Sequence, residues 1–258
     1  DGKALQAGTS HFLGQNFSKA FDVKYASKSG KMEHVWSTSW GVSTRLMGAL
    51  IMTHSDDQGL VLPPSLAPYQ VVIIPIYKGK DEYEILSKKC EEIKNDLINI
   101  GVRVKLDLRD SHKPGWKFNE YEVKGVPIRV AIGMRDLNED CIEIFRRDLL
   151  SKEKIKTTEI LNHIPQLLKN IHANIFSKAK LFLDNNTYIV NSWDDFVNKI
   201  SLGGFVSAHW DGKTKTEEKI KKITKATIRC IPLENSDSGK CVLTGNPSKK
   251  RVIFAKAY

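Results

Sequence analysis

A chain of 258 residues, with 41% hydrophobic and 27% charged residues, has the composition of an ordinary globular protein and the length for two or three domains with their own cores. Its formal net charge of +10 suits a polyanionic partner such as RNA, although many basic proteins bind none. No apolar run reaches membrane-spanning length, no signal peptide opens the chain, and the 4 cysteines are widely spaced, which argues against membrane and disulfide-rich secreted classes. We therefore expect a protein of the reducing cytosol, with no membrane partner.

The first 67 residues are predicted to form a strand, a helix, a hairpin, a second helix and a last strand. Residues 32–40 are rich in strand-forming side chains, and Ser29-Gly30 supplies the turn before them. A turn over residues 56–59 leads into a predicted strand at residues 60–62. The prolines that follow this strand mark the first domain boundary.

The second of these helices carries the most informative side chain of the region. Ser43 and Thr44 can cap a helix whose body, residues 46–53, is almost wholly apolar and is therefore expected to be buried. Arg45 lies in the first turn, where the helix dipole disfavours a cation, so we expect it to hold an anion there. A guanidinium and backbone N–H groups that converge on one point form a phosphate site. The alternative is a buried helix with one arginine that reaches solvent, and the spacing alone favours it.

The middle of the chain is predicted to be an α/β unit with a mostly parallel or mixed sheet. The short apolar run at residues 71–74 is typical of a strand covered on both faces. The further predicted elements are a helix at 81–100, a strand at 102–106, a helix near Phe118, and strands at 126–132 and 141–146. One face of the helix at 81–100 is predicted to consist of Ile85, Leu86, Ile93, Leu97 and Ile100.

A long helix at residues 159–183 leads to the last unit, which begins near residue 187. Its predicted apolar stripe consists of Leu161, Ile164, Leu168, Ile171, Ile175 and Phe182. The last unit should contain a helix around Trp193, Phe196 and Ile200 that ends at Gly203-Gly204, a lysine-rich helix at 214–224, and strands at 226–231 and 251–257.

Four stretches resemble one family in their literal sequence. Residues 41–64, GVSTRLMGALIMTHSDDQGLVLPP, resemble motif 3 of class II aminoacyl-tRNA synthetases, and in detail that of the prolyl-tRNA synthetases. Residues 4–21, ALQAGTSHFLGQNFSKAF, are similar to the strand and helix beside their proline pocket. Residues 111–136, SHKPGWKFNEYEVKGVPIRVAIGMRD, resemble the core of their anticodon-binding domain. The final RVIFAKAY is similar to the terminal strand of archaeal- and eukaryotic-type members.

The resemblance implies a division of the chain into three domains. Residues 1–67 would be the C-terminal part of a class II antiparallel-sheet catalytic domain, residues 68–170 an α/β anticodon-binding domain, and residues 171–258 a small α+β C-terminal domain. Motif 1, which builds the family's dimer interface, motif 2 and the prolyl recognition loop should precede Asp1. We therefore expect the C-terminal portion of a prolyl-tRNA synthetase, which would not catalyse alone and whose whole enzyme would be a homodimer.

The implied activity is that of a cytoplasmic proline–tRNA ligase, which uses ATP with Mg²⁺ to convert L-proline to prolyl-adenylate and transfers it to proline tRNA. By resemblance Gln6, Thr9, Ser43 and Arg45 would contact ATP, with Arg45 on the γ-phosphate, and His11 would contact proline. No residue resembles a catalytic base or nucleophile, because class II enzymes act chiefly by positioning and by neutralising pyrophosphate charge.

The anticodon contacts are expected in the middle unit, where arginine and carboxylate pairs can read base edges and lysines can position phosphates. The candidates are Arg109, Lys117, Glu122, Lys124, Arg129 and Arg135. Trp116 could stack on a base, but a tryptophan after Pro-Gly is more often a packing anchor, and we favour packing.

A structural zinc ion is not expected in the last unit, although archaeal- and eukaryotic-type members usually hold one there with four cysteines. Only Cys241 lies where the family's cysteines lie, and Cys230 falls in a predicted strand. A substitute set of His209, Asp211, Cys230 and Cys241 matches no common zinc module. The contacts of Trp193, Phe196, Phe205, Trp210 and Phe254 should then hold the unit together.

Two alternatives remain open at this point. The chain could be a non-catalytic tRNA-binding module derived from a synthetase, because motifs 1 and 2 are missing from it. It could also come from a related class II enzyme, such as the threonyl, glycyl or histidyl synthetase, but Thr9-Ser10-His11 and the KGVPIR segment argue against this.

Overall fold

The computed structural model describes residues 2–233 and 237–258. The chain forms two compact units. One comprises the segment up to Ala49 together with Phe182–Tyr258, and the other comprises Leu50–Leu181. The domain boundaries expected near residues 67 and 170 stay a prediction.

The first segment contains small antiparallel pairs and two helices. Its elements are β1 (Thr9–Gly14), α1 (Asn16–Ala20), β2 (Lys24–Ala26), β3 (Met32–His34), β4 (Ser37–Gly41) and α2 (Arg45–His54). β1 pairs with β4, with Thr9 opposite Gly41, and β2 pairs with β3 around a turn in which Gly30 has a φ of +77°. The predicted order of strand, helix, hairpin and helix is confirmed. The strand predicted at residues 60–62 is wrong, since these residues form no ladder and Leu60 makes a single backbone bond to Val123.

The expectation that the apolar helix α2 is buried is also wrong for this chain. None of its 10 residues is buried, and Met47 is 67% exposed. The neighbouring two-stranded sheet is too small to cover such a helix. The residues that we call the exposed apolar group are Phe12, Trp36, Trp40, Val42 and Met47, each more than 60% exposed. The apolar side chains of this region therefore lack a core among the described residues.

The unit Leu50–Leu181 is built on a five-stranded mixed sheet of order β6-β5-β7-β8-β9. Its elements are β5 (Val71–Ile76), α3 (Lys80–Asn99), β6 (Val104–Leu106), α4 (Pro114–Val123), β7 (Ile128–Gly133), α5 (Met134–Asn138), β8 (Cys141–Arg146) and β9 (Ser151–Lys156), followed by α6 (Ile160–Asn185). β5 is parallel to β6 and β7, whereas β8 is antiparallel to β7 and β9. The predicted mixed sheet is confirmed, and α5 and β9 are additions to the prediction.

Both faces of this sheet are covered, which explains the continuous apolar run of β5. Val71 and Ile73 pack in a cluster with α3 and α6, while Val72 and Ile74 pack on the other face with Tyr121 of α4. The predicted helix faces need a correction. The prediction is wrong for four side chains that are exposed, Ile85, Ile100, Leu161 and Phe182. It is confirmed for the buried residues Leu86, Ile93 and Leu97 of α3 and Ile164, Leu168, Ile171 and Ile175 of α6. Cys90, Ile160 and Leu167 are buried as well and were not predicted.

The segment after α2 crosses the end of α4 in close backbone contact. Gly59 has a φ of +134°, and a Cβ there would lie 2.5 Å from the Cα of Val123. Gly125 faces Leu60 just as closely, so side chains are excluded at both glycines. Arg147, which is 1% exposed, holds this crossing with Nη atoms 2.5 and 2.8 Å from the Asp56 carboxylate.

The last part of the chain forms a four-stranded sheet of order β10-β11-β15-β12 with helices beside it. The elements are β10 (Thr187–Ile189), α7 (Trp193–Leu202), β11 (Phe205–His209), α8 (Thr214–Thr224), β12 (Ala226–Cys230), β13 (Gly239–Lys240), β14 (Pro247–Ser248) and β15 (Arg251–Lys256). Ser192 caps α7 by accepting a hydrogen bond from Asp195 N, and Phe196 and Phe254 centre the core. The predicted helices and the predicted strands at 226–231 (β12) and 251–257 (β15) are confirmed, whereas β10, β11 and the β13–β14 hairpin were not predicted.

Candidate nucleotide and nucleic-acid sites

The residues expected at the ATP site lie together in the first segment. Arg45 begins α2, and its Nη1 lies 3.4 Å from Gln6 Oε1 and 3.5 Å from Gln6 O. Gln6 Nε2 donates to Thr9 Oγ1 at 2.9 Å, and Ser43 Oγ accepts from the backbone of Arg45 at 3.4 Å. These long bonds hold the guanidinium loosely at a helix N-terminus, where a stronger acceptor such as a phosphate oxygen can displace them.

His11 lies on the same strand as Thr9, two residues further on, and so on the same face. It is exposed and is opposite Ser39 in the β1–β4 ladder. Thr9 and His11 therefore share one face of β1, and their role at a ligand stays a prediction.

A cavity of 760 Å³ lies in the unit Leu50–Leu181. It is lined by Leu60, Leu62, Pro68, Tyr69, Lys105, Leu106, Asp107, Leu108, Arg109, Glu120, Tyr121, Lys124 and Val126. Two cations of the lining stand over aromatic rings that also line it: Lys105 Nζ is 5.9 Å from the Tyr69 centroid, and Lys124 Nζ is 5.7 Å from that of Tyr121. An apolar cavity lined by cations and aromatic rings suits a nucleobase attached to a charged backbone.

Asp107 organises the charged wall of this cavity. Its carboxylate accepts two bonds from the Arg109 guanidinium, at 2.9 and 2.6 Å, and one from the Tyr121 hydroxyl at 3.2 Å. Burial disfavours the charged carboxylate, but the bonds from Arg109 and the charges of Lys117 and Arg109 outweigh it and hold the pKa of Asp107 below its usual value. Burial also raises the pKa of Tyr121 to about 12, so the phenol stays a donor.

Glu120 also helps to hold Arg109 at the wall of the cavity. Arg109 Nη2 and Lys124 Nζ each lie 2.5 Å from the Glu120 carboxylate. The hydrogen bond from Lys124 is the largest cause that lowers the pKa of Glu120, followed by that from Arg109. Glu120 and Asp107 are therefore site residues that sequence reasoning missed. A signal did exist, because Glu120 and Lys124 are four residues apart on one helix.

Lys117 requires a correction, because it cannot reach a phosphate in this structure. Its side chain is 2% exposed, and Nζ lies 3.2 Å from Asp107 O and 3.6 Å from Asp107 Oδ1. It lies on the inner side of α4 with Tyr121, one helical turn away. Lys117 therefore neutralises Asp107 inside the fold instead of contacting a ligand.

Arg129 and Glu122 form an ion pair in which Arg129 is buried and Glu122 is partly exposed, so Arg129 leaves the predicted contact surface. Arg129 is 4% exposed, and its guanidinium lies 3.8 Å from the Phe118 ring centroid and 4.3 Å from that of Phe145. Burial lowers the pKa of Arg129, and the pairing with Glu122 opposes this shift. Arg135 is 83% exposed in its side chain and does not line the cavity. Of the six predicted anticodon residues, the cavity collects Arg109 and Lys124.

The side chains suggested as a substitute zinc set do not fit a metal site. Cys241 is buried, Cys230 is exposed, and among residues 2–233 and 237–258 no three His, Cys, Asp or Glu side chains lie together as metal ligands would. Asp211 Oδ2 accepts instead from Thr216 Oγ1, Thr244 Oγ1 and Asn246 Nδ2 at 3.0–3.2 Å. Hydrogen bonds to this one carboxylate thus connect the turn of the β13–β14 hairpin to the loop between β11 and α8.

No helix in the part of the chain that the structure describes is long and apolar enough to cross a membrane.

Two family models match the chain. Residues 70–167 match the anticodon binding domain, and residues 193–258 match the prolyl-tRNA synthetase C-terminal domain. The chain is similar to proline–tRNA ligases of Christiangramia forsetii (57% identity over 260 residues), Azobacteroides pseudotrichonymphae (59% over 259) and Bacteroides fragilis (56% over 263). Each match covers 100% of this chain and 52–53% of the relative. The chain thus spans about half the length of the curated relatives it matches.

Proposed function

We propose that the protein acts in proline–tRNA ligation, because residues 193–258 match the prolyl-tRNA synthetase C-terminal family and residues 70–167 match the anticodon binding domain family. The reaction is the ATP-dependent activation of L-proline to prolyl-adenylate, followed by transfer of proline to its tRNA. The whole chain's similarity to proline–tRNA ligases supports proline over threonine, glycine or histidine as the amino acid.

The main structural support for this proposal is the cavity, with its cation–aromatic pairs and with Arg109 fixed at its wall. Anticodon bases are unstacked, so they can enter a cavity and lie on aromatic rings. Asp107 and Glu120 hold Arg109 through Nε and Nη2, which leaves the Nη1 group to donate to a guanine edge, and the exposed Lys124 is placed to meet a phosphate. We therefore assign Arg109, Glu120 and Lys124 as contacts, Arg135 as a peripheral phosphate contact, and Lys117, Glu122 and Arg129 as their internal support.

The adenylation site would use the loosely held Arg45 as a clamp on the γ-phosphate. Gln6, Thr9 and Ser43 surround it as further ATP contacts, and His11 on the same strand face would meet proline. Mg²⁺ would arrive with the ATP phosphates and neutralise their charge. These residues position ATP for in-line attack by the proline carboxylate and need not move a proton.

We also propose a subclass, an oligomeric state and a location for the whole enzyme. The last unit and the closing RVIFAKAY support an archaeal- and eukaryotic-type enzyme, although the relatives reported above are bacterial. A homodimer formed through motif 1 and a cytoplasmic location follow from the proposed role in tRNA charging.

Proline-dependent pyrophosphate exchange by the full-length protein tests the function. We expect exchange with proline and ATP, and charging of proline tRNA. Exchange that requires threonine, glycine or histidine would overturn the amino acid assignment. Binding of proline tRNA without any exchange would support the alternative of a non-catalytic tRNA-binding module.

A further inference from the structure

The helix α8 carries a concentration of positive charge that the proposed function does not use. Residues 193–258 contain 13 lysines and arginines against 7 aspartates and glutamates, so this part supplies +6 of the chain's +10. The charge is densest at α8, because residues 213–225 hold 6 lysines and 2 glutamates. A local excess of this kind attracts a polyanion.

Three lysines of α8 form a stripe on its outer face. Lys215, Lys219 and Lys222 follow one another at spacings of four and three residues, so they lie on one side of the helix, and all three are exposed. We call these three residues the lysine stripe. The buried residues of the helix, which face the core, are Thr216, Ile220 and Thr224. The lysine stripe therefore points to solvent.

The lysine stripe has no counter-ion among the described residues. None of its members forms an ion pair with a residue that the structure describes. Glu217 accepts a hydrogen bond from Ile228 N at 3.3 Å, which leaves Glu218 as the other acid of the helix. Like charges at these spacings destabilise a helix, and Lys215 in the first turn also opposes the helix dipole. The stripe therefore costs stability that a bound anion would restore.

Lysines on the surface of α3 are paired instead. Lys89 Nζ lies 3.3 Å from Glu92 Oε2, and Lys94 Nζ lies 2.6 Å from Glu91 Oε1. In that helix, acidic side chains one turn away balance the charge. The unpaired lysines of α8 are thus a particular property of this helix and not the ordinary pattern of a helix surface in this chain.

The phosphates of a nucleic-acid strand fit the lysine stripe better than a lipid surface does. A helix that lies in a membrane interface needs a free apolar face, but Ile220 is buried in the core and only Ile223 of α8 is an exposed large apolar residue. The stripe extends over about 10 Å of helix axis, a length over which one strand carries about three phosphates. Lysines meet phosphates as point charges and do not read base edges bidentately.

We propose that the lysine stripe of α8 binds the sugar–phosphate backbone of tRNA without regard to its base sequence. This inference rests on the proposed function and adds a second RNA contact to it, in the compact unit that does not contain the cavity. The stripe supplies affinity, and the choice of tRNA stays with the contacts to bases.

The test is the binding of proline tRNA by the full-length protein over a range of salt concentrations. The stripe variant combines Lys215→Gln, Lys219→Gln and Lys222→Gln. It should bind about 3- to 100-fold more weakly at 50 mM salt, and the slope of log K against log salt should fall by about two to three. Its free energy of unfolding should not decrease, because the substitutions relieve repulsion within the helix.

A matched control removes the same charge from α3, which covers the opposite face of its sheet from α4. It combines Lys88→Gln, Lys89→Gln and Lys94→Gln, and its affinity should stay within about twofold of the wild type. Glu218→Gln removes the acid beside the stripe and should tighten binding at low salt, a gain that a folding defect cannot produce.

A tRNA with both anticodon guanines changed tests whether the contact ignores base sequence. The stripe variant should lose the same factor in affinity for this tRNA as for proline tRNA, because backbone contacts and base contacts at separate sites add independently. A loss confined to proline tRNA would contradict a backbone contact.

The outcomes separate the two proposals. Equal wild-type affinity for the two tRNAs would overturn the anticodon part of the proposed function, while a stripe variant that is weaker with both would still support the stripe. Normal wild-type binding with an unaffected stripe variant and an unchanged salt slope would overturn the stripe alone. Sedimentation of the wild type with vesicles of phosphatidylcholine and phosphatidylserine, lost in a stripe variant that binds tRNA normally, would replace RNA by a membrane as the partner.

Discussion

At the scale of single residues, Arg45 shows how weak contacts would leave a guanidinium ready for the proposed phosphate contact. Its bonds to Gln6 are 3.4 and 3.5 Å long, near the limit for a hydrogen bond. Sequence reasoning placed Arg45, Gln6 and Thr9 in one site only through the resemblance, because no spacing rule brings residues 39 positions apart together. The loose geometry is what the structure adds.

Arg45→Ala in the full-length protein should reduce the use of ATP about tenfold or more, because hydrogen bonds to charged groups contribute about 1.5–3 kcal/mol. The measurement is the ATP dependence of proline-dependent pyrophosphate exchange. Arg45→Lys keeps the charge and loses the fork, so an intermediate loss is expected. A normal ATP dependence in Arg45→Ala would remove Arg45 from the site.

Asp107 was not foreseen as a site residue, although it is the carboxylate on which the cavity wall depends. Nothing in the sequence marks Lys117 as the buried lysine of the region; only the fold shows that Lys117 and Tyr121 share the inner side of α4 and that both reach Asp107. The pair becomes recognisable only when the end of β6, which places Asp107, and the inner face of α4, which places Lys117, are both known.

Asp107→Asn should destabilise the protein by about 3 kcal/mol, because it removes the counter-ion of the buried Lys117 charge and leaves only the hydrogen bond to Asp107 O. Adding Lys117→Met should restore part of the loss, and Glu120→Gln, which alters a pair nearer the surface, should cost less than about 1 kcal/mol. Denaturant unfolding at neutral pH measures all three. An Asp107→Asn variant as stable as the wild type would contradict the assignment.

Asp107→Asn should also make the free energy of unfolding depend less on pH in the acid range. The pKa of Asp107 is lowered by folding, so its contribution is present above its unfolded pKa, near 4, and is lost as the pH falls through the lower folded pKa. Unfolding measured below pH 4 should therefore differ less between Asp107→Asn and the wild type than at pH 7.

At the scale of elements, regular patterns predicted the interior better than the edges. The apolar run of β5 and the helical periods of α3 and α6 gave the right elements because burial imposes those patterns. β9, with the sequence SKEKIK, carries almost no apolar signal and was missed, since an edge strand is specified mainly by its neighbour. In α3, Cys90 points inward and Ile85 does not. Placing the buried face one position off along the helix is enough to exchange these two residues.

The terminal β13–β14 hairpin should fold without zinc and depend on Asp211. Burial opposes its charge, but bonds from Asn246, the Lys213 backbone, Thr216 and Thr244 lower the pKa of Asp211 overall. We expect elemental analysis to find no stoichiometric zinc and chelators to leave the unfolding transition unchanged. Asp211→Ala should cost about 2 kcal/mol. One zinc per chain, lost together with folding on chelation, would contradict this.

At the scale of the whole molecule, the charge of +10 should set how the proposed binding of tRNA responds to salt. Affinity for proline tRNA should fall steeply between 50 and 200 mM salt, as expected when lysines and arginines release counterions. Lys124→Ala should lower the slope by about one phosphate contact. Changing the two anticodon guanines should weaken binding at every salt concentration, whereas equal affinity would leave only generic basic binding.

The exposed apolar group should make the isolated 258-residue chain self-associate as the salt concentration rises. At low ionic strength, like charges keep copies apart, but near 0.15 M salt the screening length shrinks to about 8 Å. Exposed Phe12, Trp40 and Met47 can then meet the same side chains of another copy. We expect light scattering by the 258-residue chain to rise with salt and Met47→Lys to reduce the rise. The salt that releases RNA would thus promote self-association of the chain.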